Sequence, residues 1–189
     1  MKYDKLYLRN ISLLKRKKKY LKVKKFNFNL IFNLIKKHFS KKKIKIAGYY
    51  PSNNEVNILK FLEFAHKKNF RIALPFIKSS SIMCFKSWTF KEPLYPNKFG
   101  ILEPGNSNKE IVPDLVMVPL VAFDKSLNRI GYGKGYYDRI LTKLNKINSK
   151  MISLGIAYSF QKSKTIPINK HDFKLQYIFT EQGIIDSNK

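Results

Sequence analysis

A glycine-rich segment that carries a lysine and an aspartate is the part of this sequence best suited to chemistry. Gly131, Gly133 and Gly135 alternate with other residues. Lys134 lies between the last two glycines, and Asp138 follows them. Glycine lets a ligand come close to the backbone, and free N–H groups at the start of a helix favour a bound phosphate. The segment could therefore hold a nucleotide, with Lys134 as a mobile positive charge and Asp138 as a ligand for the accompanying magnesium.

The spacing of these residues leaves a second interpretation open. It matches neither the P-loop pattern GxxxxGK[ST] nor the dinucleotide-binding pattern GxGxxG. The same glycines would also suit a tight turn from a strand into a helix that binds no ligand. On the residues alone, both a phosphate loop and a purely structural turn remain open.

The stretches on either side predict how the segment is held. The run Leu115–Phe123 is short, apolar and rich in valine, which predicts a buried central strand. From Tyr136 onward, apolar residues recur at intervals of three and four, which predicts a helix. The glycine-rich segment would then connect a strand of the sheet directly to a helix.

The remainder of the chain alternates between predicted helices and strands. Further strands are expected over residues 44–50, 70–74, 82–88, 152–157 and 177–180. Further helices are expected over residues 1–25, 26–39 and 58–68. We expect Pro75 to end the second of these strands, and residues 91–105 to form a loop because they are rich in Pro and Gly.

This alternation predicts the fold class. Strands that alternate with helices favour an α/β fold with a largely parallel sheet. The sequence shows no internal repeat and no low-complexity linker. We therefore expect a single domain over residues 1–189 that includes the basic N-terminal helix 1–25.

The net charge of +26 is extreme for a chain of 189 residues. It is consistent with a basic nucleic-acid-binding α/β domain without catalytic activity, because Lys and Arg neutralise phosphates. However, the lysines extend from Lys2 to Lys189 and the aromatic residues fall within apolar runs, whereas a binding surface would concentrate both on one face. We therefore expect a general enrichment in lysine and no specific nucleic-acid partner. The run Lys15–Lys19 is expected to be a solvated helix face.

The cysteine, the histidines and the apolar runs indicate the cellular compartment in which the protein is expected. Cys84 is the single cysteine, which suits a reducing compartment, and we expect a cytoplasmic location. The three histidines have no zinc-like spacing. The apolar run 26–39 is interrupted by asparagines and too short to span a bilayer, and it lacks a small-residue cleavage site. We therefore expect neither membrane association nor a signal peptide.

Five segments together resemble one enzyme family nearly from end to end. The most specific is RIGYGKGYYDR, followed by GYYPSNNEVN, NKFGILEP, HDFKLQYIFTEQG and KLYLR, at residues 129–139, 48–57, 97–104, 171–183 and 5–9. They resemble the 5-formyltetrahydrofolate cyclo-ligase family, also called methenyltetrahydrofolate synthetases. The resemblance implies a three-layer α/β/α fold with a mostly parallel, Rossmann-like sheet.

The activity that the resemblance implies depends on ATP and Mg²⁺. The γ-phosphate of ATP is transferred to the formyl oxygen of 5-formyltetrahydrofolate, and N10 of the folate then attacks the activated carbon. Loss of phosphate gives 5,10-methenyltetrahydrofolate, with ADP as the other product. The folate could carry a polyglutamate tail, and we expect the protein to act as a monomer.

The resemblance also assigns roles to individual residues. Those expected to bind ATP are Lys5, Arg9, Arg129, Ile130, Gly131, Tyr132, Gly133, Lys134, Gly135, Tyr136 and Tyr137, of which Arg129 and Lys134 are also expected to be catalytic. Those expected to bind the folate are Tyr50, Glu55, Tyr132, Gly133, Lys134, Gly135 and Tyr136. Asp138 and Asp172 are expected to bind Mg²⁺.

The chain departs from the pattern of the family at two places. Asn53 and Asn54 stand where a glycine commonly precedes the glutamate, and Gln176 stands where an aspartate is usual. The second departure places a hydrogen bond or a charge at the position of Gln176 in doubt. Neither removes a residue that the chemistry requires.

Overall fold

A mostly parallel sheet with helices on both faces forms the centre of the molecule. The structure is a computed structural model that describes residues 4–23, 25–39 and 43–186. Its helices are α1 (Lys5–Lys19), α2 (Asn29–Phe39), α3 (Leu59–Lys67) and α4 (Tyr136–Ile147). Its strands are β1 (Lys45–Ala47), β2 (Arg71–Ile77), β3 (Met83–Ser87), β4 (Leu94–Pro96), β5 (Leu102–Pro104), β6 (Leu115–Pro119), β7 (Ala122–Phe123), β8 (Arg129–Ile130), β9 (Ile152–Ile156), β10 (Tyr177–Thr180) and β11 (Gly183–Asp186).

The strand order of the main sheet is β11-β10-β9-β6-β1-β2-β3. The two edge strands β3 and β11 pair antiparallel with their neighbours, and the strands between them are parallel. From β1 the chain proceeds towards one edge, and from β6 it proceeds towards the other. Such a reversal leaves a crevice at the carboxyl ends of the two central strands, where open α/β sheets bind their ligands.

Strand β6 shows why the sheet has three layers. Leu115 and Met117 pack into a core with α2 and α3, whereas Val116 and Val118 pack into a second core with α4. All four side chains are fully buried, because a central parallel strand is covered on both faces. The predicted α/β/α fold with a mostly parallel sheet is confirmed.

The predicted strand Leu115–Phe123 is too long. Strand β6 ends at Pro119, and the chain then forms the separate hairpin β7–β8, in which Phe123 pairs with Arg129. The glycine-rich segment therefore follows a short hairpin strand and not the central strand itself. The prediction that it leads into a helix at Tyr136 is confirmed.

Other predicted boundaries are wrong as well. The strand expected over residues 44–50 ends at Ala47, and the helix expected over residues 26–39 begins at Asn29. Pro75 does not end β2, which continues to Ile77. Strand β1 pairs with β2 only as far as Ala73. The N–H that Pro75 lacks is therefore not needed for pairing with β1. The predicted loop 91–105 contains the two-stranded hairpin β4–β5. Strand β10 was expected to be the last strand, but it turns back at residues 181–182 to form the antiparallel edge strand β11.

The N-terminal helix is shorter than the predicted span 1–25. Asp4 caps α1 by accepting a hydrogen bond from the backbone N–H of Tyr7 at 2.7 Å. The α-helix ends at Lys19 and a 3₁₀ turn follows over Tyr20–Lys22. Residues 1–3 and 24 of the predicted span lie outside the described residues. Within the described ranges, none of the helices combines the length and the apolar character needed to cross a bilayer.

Candidate active site

A cleft of about 1550 Å³ opens where the order of the central strands reverses. Tyr49 and Tyr50 follow β1, and Pro119 ends β6; all three line it. The structure brings every site residue predicted from the sequence to this cleft: Lys5, Arg9, Tyr50, Glu55, Arg129, Ile130, Gly131, Tyr132, Gly133, Lys134, Gly135, Tyr136, Tyr137, Asp138 and Asp172. Their positions come from four separate parts of the chain, which the fold alone assembles.

The glycine-rich segment lines the cleft in a backbone conformation that favours glycine. Gly133 and Gly135 have φ angles of +93° and +67°, which an L side chain rarely adopts. Gly135 is the N-cap of α4, and glycine has no side chain with which to cap the helix. The first N–H groups of a helix lack partners within the helix and carry the positive end of its dipole. This end of the cleft is therefore suited to a phosphate.

Helix α1 lies against the same segment. Arg9 Nε donates a hydrogen bond of 2.8 Å to the carbonyl oxygen of Gly131. A Cβ added to Gly133 would lie 3.2 Å from the guanidinium carbon of Arg9, so the two groups are in close contact. Among the described residues, no carboxylate forms an ion pair with Arg9 or Lys134. We call Lys5, Arg9, Lys134 and the N-terminus of α4 the loop end of the cleft.

A buried ion pair joins the two ends of the glycine-rich segment. Arg129 Nη2 donates to Asp138 Oδ1 at 2.5 Å, and the backbone N–H of Phe173 donates to the same oxygen at 3.1 Å. Burial lowers the pKa of Arg129, while the charges of Asp138 and Asp172 act in the opposite direction. The guanidinium thus joins the start of the loop to the first turn of α4.

Asp138 and Asp172 fit the role of magnesium ligands to a nucleotide. The described part of the chain has no cluster of three or more His, Cys, Asp or Glu side chains that could hold a metal by themselves. Magnesium bound with a nucleotide needs only one or two carboxylates, because phosphates and water supply the other ligands. Within the described ranges, the hydrogen bonds to these two carboxylates and the Lys5 ion pair fall on Asp138 Oδ1 and Asp172 Oδ2. The second oxygen of each carboxylate accepts none from the described residues.

At the other side of the cleft, Glu55 is held by both of its oxygens. Oε1 accepts a hydrogen bond of 2.9 Å from the hydroxyl of Tyr132, and Oε2 accepts one of 2.9 Å from the backbone N–H of Ser52. Burial raises the pKa of Glu55, and the hydrogen bond from Ser52, the charge of Arg16 and the hydrogen bond from Tyr132 oppose this rise. We call Glu55 with Ser52, Tyr132 and Arg16 the Glu55 end of the cleft.

The turn before Glu55 shows how the first departure from the family pattern is accommodated. Asn53 and Asn54 both adopt the left-handed conformation, with φ angles of 48° and 60°. Asparagine tolerates this region better than most residues other than glycine. The two asparagines therefore form the turn that aims Glu55 into the cleft.

Gln176, the second departure, also has a structural role. Its side-chain oxygen accepts a hydrogen bond of 2.8 Å from the backbone N–H of Ser153, and its own backbone N–H donates to Ser153 Oγ at 3.1 Å. An amide oxygen satisfies the same donor that an aspartate would. The substitution removes a negative charge from the lining of the cleft without leaving this N–H unpaired.

Two groups of residues, one in the lining of the cleft and one behind it, were not assigned roles from the sequence. The hairpin β4–β5 contributes Phe99, whose ring centroid lies 6.0 Å from Lys134 Nζ, and Glu103, which accepts a hydrogen bond of 3.2 Å from the N–H of Ile77. The segment 97–104 was noted for its resemblance only, and its loop-like composition hid the hairpin.

Arg16 is the second omission. The prediction that Lys15–Lys19 forms a solvated face is wrong at this residue, which is 1% exposed. The signal was present in the spacing of α1, because residues 5, 9, 12 and 16 fall on one side of a helix. Arg16 therefore faces the same part of the molecule as Lys5 and Arg9.

Comparison with known proteins relates the whole chain to one family. Residues 2–181 match the model of the 5-formyltetrahydrofolate cyclo-ligase family. A 5-formyltetrahydrofolate cyclo-ligase from Mycoplasma genitalium is 37% identical over 168 residues, which cover 84% of this chain and 87% of the relative. The protein of the same name from Haemophilus influenzae is 32% identical over 149 residues, covering 76% and 77% of the two chains.

Solved structures agree with this relationship. The structure of 5,10-methenyltetrahydrofolate synthetase from Aquifex aeolicus superimposes with a TM-score of 0.75 and 27% identity, covering 98% of this chain and 93% of the other. That of a 5,10-methenyltetrahydrofolate synthetase from Mycoplasma pneumoniae has a TM-score of 0.69 and 28% identity, with coverage of 95% and 99%. The similarity therefore includes the sheet and the elements that line the cleft.

Proposed function

The chain belongs to the 5-formyltetrahydrofolate cyclo-ligase family, and we propose that it converts 5-formyltetrahydrofolate to 5,10-methenyltetrahydrofolate at the expense of ATP. The enzyme class is that of a ligase, as in its relatives. The proposal concerns the nucleotide, the order of the chemical steps and the role of each residue in the cleft.

The observation that carries the proposal is the position of Tyr132. Its hydroxyl donates to Glu55, and its neighbours Gly131 and Gly133 contact Arg9. A single residue thus adjoins both the carboxylate at the Glu55 end and the cationic loop end. A ligand bound at Glu55 and a phosphate bound at the loop would meet along this short segment, as transfer of a phosphoryl group between them requires.

The Glu55 end suits the pterin ring of the folate. A carboxylate can accept two parallel N–H bonds, and the edge of a pterin presents such donors. Ser52 and Tyr132 already fix the two oxygens of Glu55, so little reorganisation is needed when the folate binds. Tyr50 and Tyr136 line the same cleft and supply flat apolar surfaces to its walls.

The loop end suits the triphosphate of ATP. The N–H groups at the start of α4 and the cations Arg9 and Lys134 would neutralise the phosphates. Charge builds up on the oxygens of the transferred phosphoryl group, and preorganised donors stabilise that charge. We assign this role to Lys134, with Lys5, Arg9 and Arg129 orienting the rest of the nucleotide.

The reaction then has two steps. The formyl oxygen attacks the γ-phosphorus, the bond to the β–γ bridging oxygen breaks, and ADP leaves. The lone pair of N10 attacks the activated formyl carbon and N10 loses its proton. The carbon–oxygen bond then breaks and releases inorganic phosphate, which leaves the 5,10-methenyl bridge. Magnesium, held by Asp138, Asp172 and the phosphates, would supply additional positive charge during the transfer.

The proposal is tested by incubating the purified protein with 5-formyltetrahydrofolate, ATP and Mg²⁺. We expect methenyltetrahydrofolate to form, followed by its near-ultraviolet absorbance, together with stoichiometric ADP and phosphate. Omitting ATP provides the control and should abolish product formation. Product formation that is unchanged without any nucleotide would contradict the proposal. The cytoplasmic location, the monomeric state and a polyglutamate tail on the folate stay predictions from the sequence.

A further inference from the structure

Arg16 is a buried cation that the proposed reaction does not yet use. It is 1% exposed and lies on the inner side of α1. No carboxylate forms an ion pair with it within the described residues, and its Nε has no hydrogen-bond partner there. A guanidinium without a paired charge is costly to bury. Its position therefore calls for an explanation beyond packing.

The contacts of Arg16 lead to the Glu55 end. Nη1 donates to the carbonyl oxygen of Leu120 at 3.2 Å, and Nη2 donates to the hydroxyl oxygen of Tyr132. That hydroxyl in turn contacts Glu55 Oε1 at 2.9 Å. Arg16 does not itself line the cleft. Among the described residues that line the cleft, Tyr132 is the one to which Arg16 donates a hydrogen bond.

The donor and acceptor capacities fix the direction of this chain of hydrogen bonds. Arginine only donates, so the oxygen of Tyr132 must accept from Arg16. A phenol has a single hydrogen, which is then left to point at Glu55, an acceptor when ionised. Arg16 thus determines which way the hydroxyl hydrogen points. Without this guanidinium, the hydroxyl would be free to rotate away from the carboxylate.

We propose that Arg16 is a positioning residue for folate: it orients the Tyr132 hydroxyl towards Glu55 and balances the charge of that carboxylate. The inference rests on the proposed function, because it assumes that Glu55 receives the pterin. It predicts that Arg16 affects the affinity for folate and not that for ATP, although it lies on the same helix as Lys5 and Arg9.

The pH dependence of folate binding provides a second measurement of the role of Arg16. The charged and titratable groups that face Glu55 include Arg16, Tyr132, Tyr49, Tyr137 and Tyr158, and Ser52 donates a backbone hydrogen bond to it. The tyrosines are uncharged where Glu55 titrates, because burial and the charge of Glu55 raise their pKa values. Arg16 is the cation among them and lowers the pKa of Glu55, which burial raises. Removing Arg16 should raise this pKa further, so that Glu55 becomes protonated at a higher pH. As the solution is acidified, the variant should therefore begin to lose folate affinity at a higher pH than the wild-type protein does.

The experiment compares Arg16→Met with Lys17→Met, a matched change at the next, exposed residue of α1. Calorimetry measures the dissociation constants of 5-formyltetrahydrofolate and of ATP separately, across a range of pH. For Arg16→Met we expect folate binding to weaken by about ten- to a hundredfold, as for loss of a hydrogen bond to a charged group. ATP binding should change by less than about twofold. In a plot of folate affinity against pH, the acid limb, where affinity falls as pH is lowered, should move to higher pH. Arg16→Lys, which keeps the charge, should return that limb towards its wild-type position.

If Arg16→Met fails to fold, Tyr132→Phe tests the same chain of hydrogen bonds by removing the hydroxyl between Arg16 and Glu55. It should also weaken folate binding by about tenfold or more, because it removes the hydroxyl that Arg16 orients. Wild-type folate affinity in Tyr132→Phe would overturn the proposal. Equal losses for ATP and folate in a folded Arg16→Met protein, or an unmoved acid limb, would also overturn it. If the wild-type protein itself does not act on 5-formyltetrahydrofolate, the proposed function fails and not only the role of Arg16.

Discussion

The loop end and the Glu55 end of the cleft hold their charges in opposite ways. At the loop end, Lys134 is exposed and the N-terminus of α4 has no side-chain cap. At the Glu55 end, the carboxylate is fixed by Ser52 and Tyr132 before any ligand binds. The first arrangement suits a flexible, highly charged ligand such as a triphosphate, and the second suits a rigid ring with directed N–H groups.

This difference explains why the two ends should respond differently to substitution. The loop end has several cations and backbone groups that could contact the phosphates, and in the proposed reaction the phosphoryl transfer takes place beside them. The Glu55 end depends on one side chain whose geometry is set in advance. We therefore expect substitutions at the loop end to affect turnover or ATP, and substitutions at the Glu55 end to affect folate.

The largest effect is expected from Lys134→Ala. Turnover should fall by about 10² or more, because one preorganised donor to the transition state contributes about 3 kcal/mol. The fold should be unaffected, since Lys134 is exposed. Steady-state rates at saturating ATP provide the measurement, with Lys125→Ala, at an exposed lysine outside the cleft, as the control. Near-normal rates in Lys134→Ala would remove Lys134 from the chemical step.

The next effect is expected from Glu55→Gln. An amide keeps one acceptor but places a donor against the donors of the pterin, a loss of about 2–4 kcal/mol. The KM for folate should therefore rise far more than the KM for ATP. Glu63→Gln changes an exposed carboxylate on α3 and should alter neither value. Equal increases in both KM values for Glu55→Gln would mean that Glu55 acts through the fold.

A smaller effect is expected from Gly133→Ala. The new Cβ would lie within 3.2–3.4 Å of the Arg9 guanidinium, at a φ angle of +93°. The strain should cost about 1–2 kcal/mol of stability and weaken ATP binding more than folate binding. Gly100→Ala is the matched control, because Gly100 has a φ angle of +72° but no atom within 4 Å of its Cβ position. Thermal unfolding should show a similar loss in both variants, whereas a loss of ATP affinity in both would argue against a specific contact with Arg9.

The smallest effect on catalysis is expected from replacing Lys17, Lys18 and Lys19 together with Gln. These side chains are exposed, and DNA binding through them should be sequence-independent and should collapse between about 50 and 200 mM salt. The triple variant should retain less DNA in gel-shift experiments, with unchanged turnover. Tight, sequence-selective binding that survives 200 mM salt would favour the nucleic-acid-binding interpretation instead.

The sequence predicted the loop end better than the Glu55 end. The glycines and Lys134 lie within a few residues of one another, so their spacing directly reflects the local backbone. The chain of hydrogen bonds from Arg16 through Tyr132 to Glu55 joins residues 116 and 77 positions apart. No local pattern reports such contacts, and the surrounding lysines made Arg16 resemble part of a solvated face.

The errors in the fold have a similar origin. Alternation of strands and helices was sufficient to predict the three layers, because each face of the sheet must be covered. The hairpins β4–β5 and β7–β8 depend on pairing between short strands. The Pro- and Gly-rich composition conceals the first hairpin, and the continuous apolar run Leu115–Phe123 conceals the break between β6 and β7. Pro75 was expected to end β2, and only the register of the neighbouring strands shows why β2 can continue.

The most direct test of the proposed reaction traces the formyl oxygen of 5-formyltetrahydrofolate. We propose that the cleft brings the γ-phosphate at the loop end to the formyl oxygen of a folate held at the Glu55 end. With 5-formyltetrahydrofolate labelled with ¹⁸O in the formyl group, mass spectrometry of the released phosphate should find one labelled oxygen for each methenyltetrahydrofolate formed. Phosphate without the label, formed at the same rate as the product, would show that the formyl oxygen is not phosphorylated and would contradict the account.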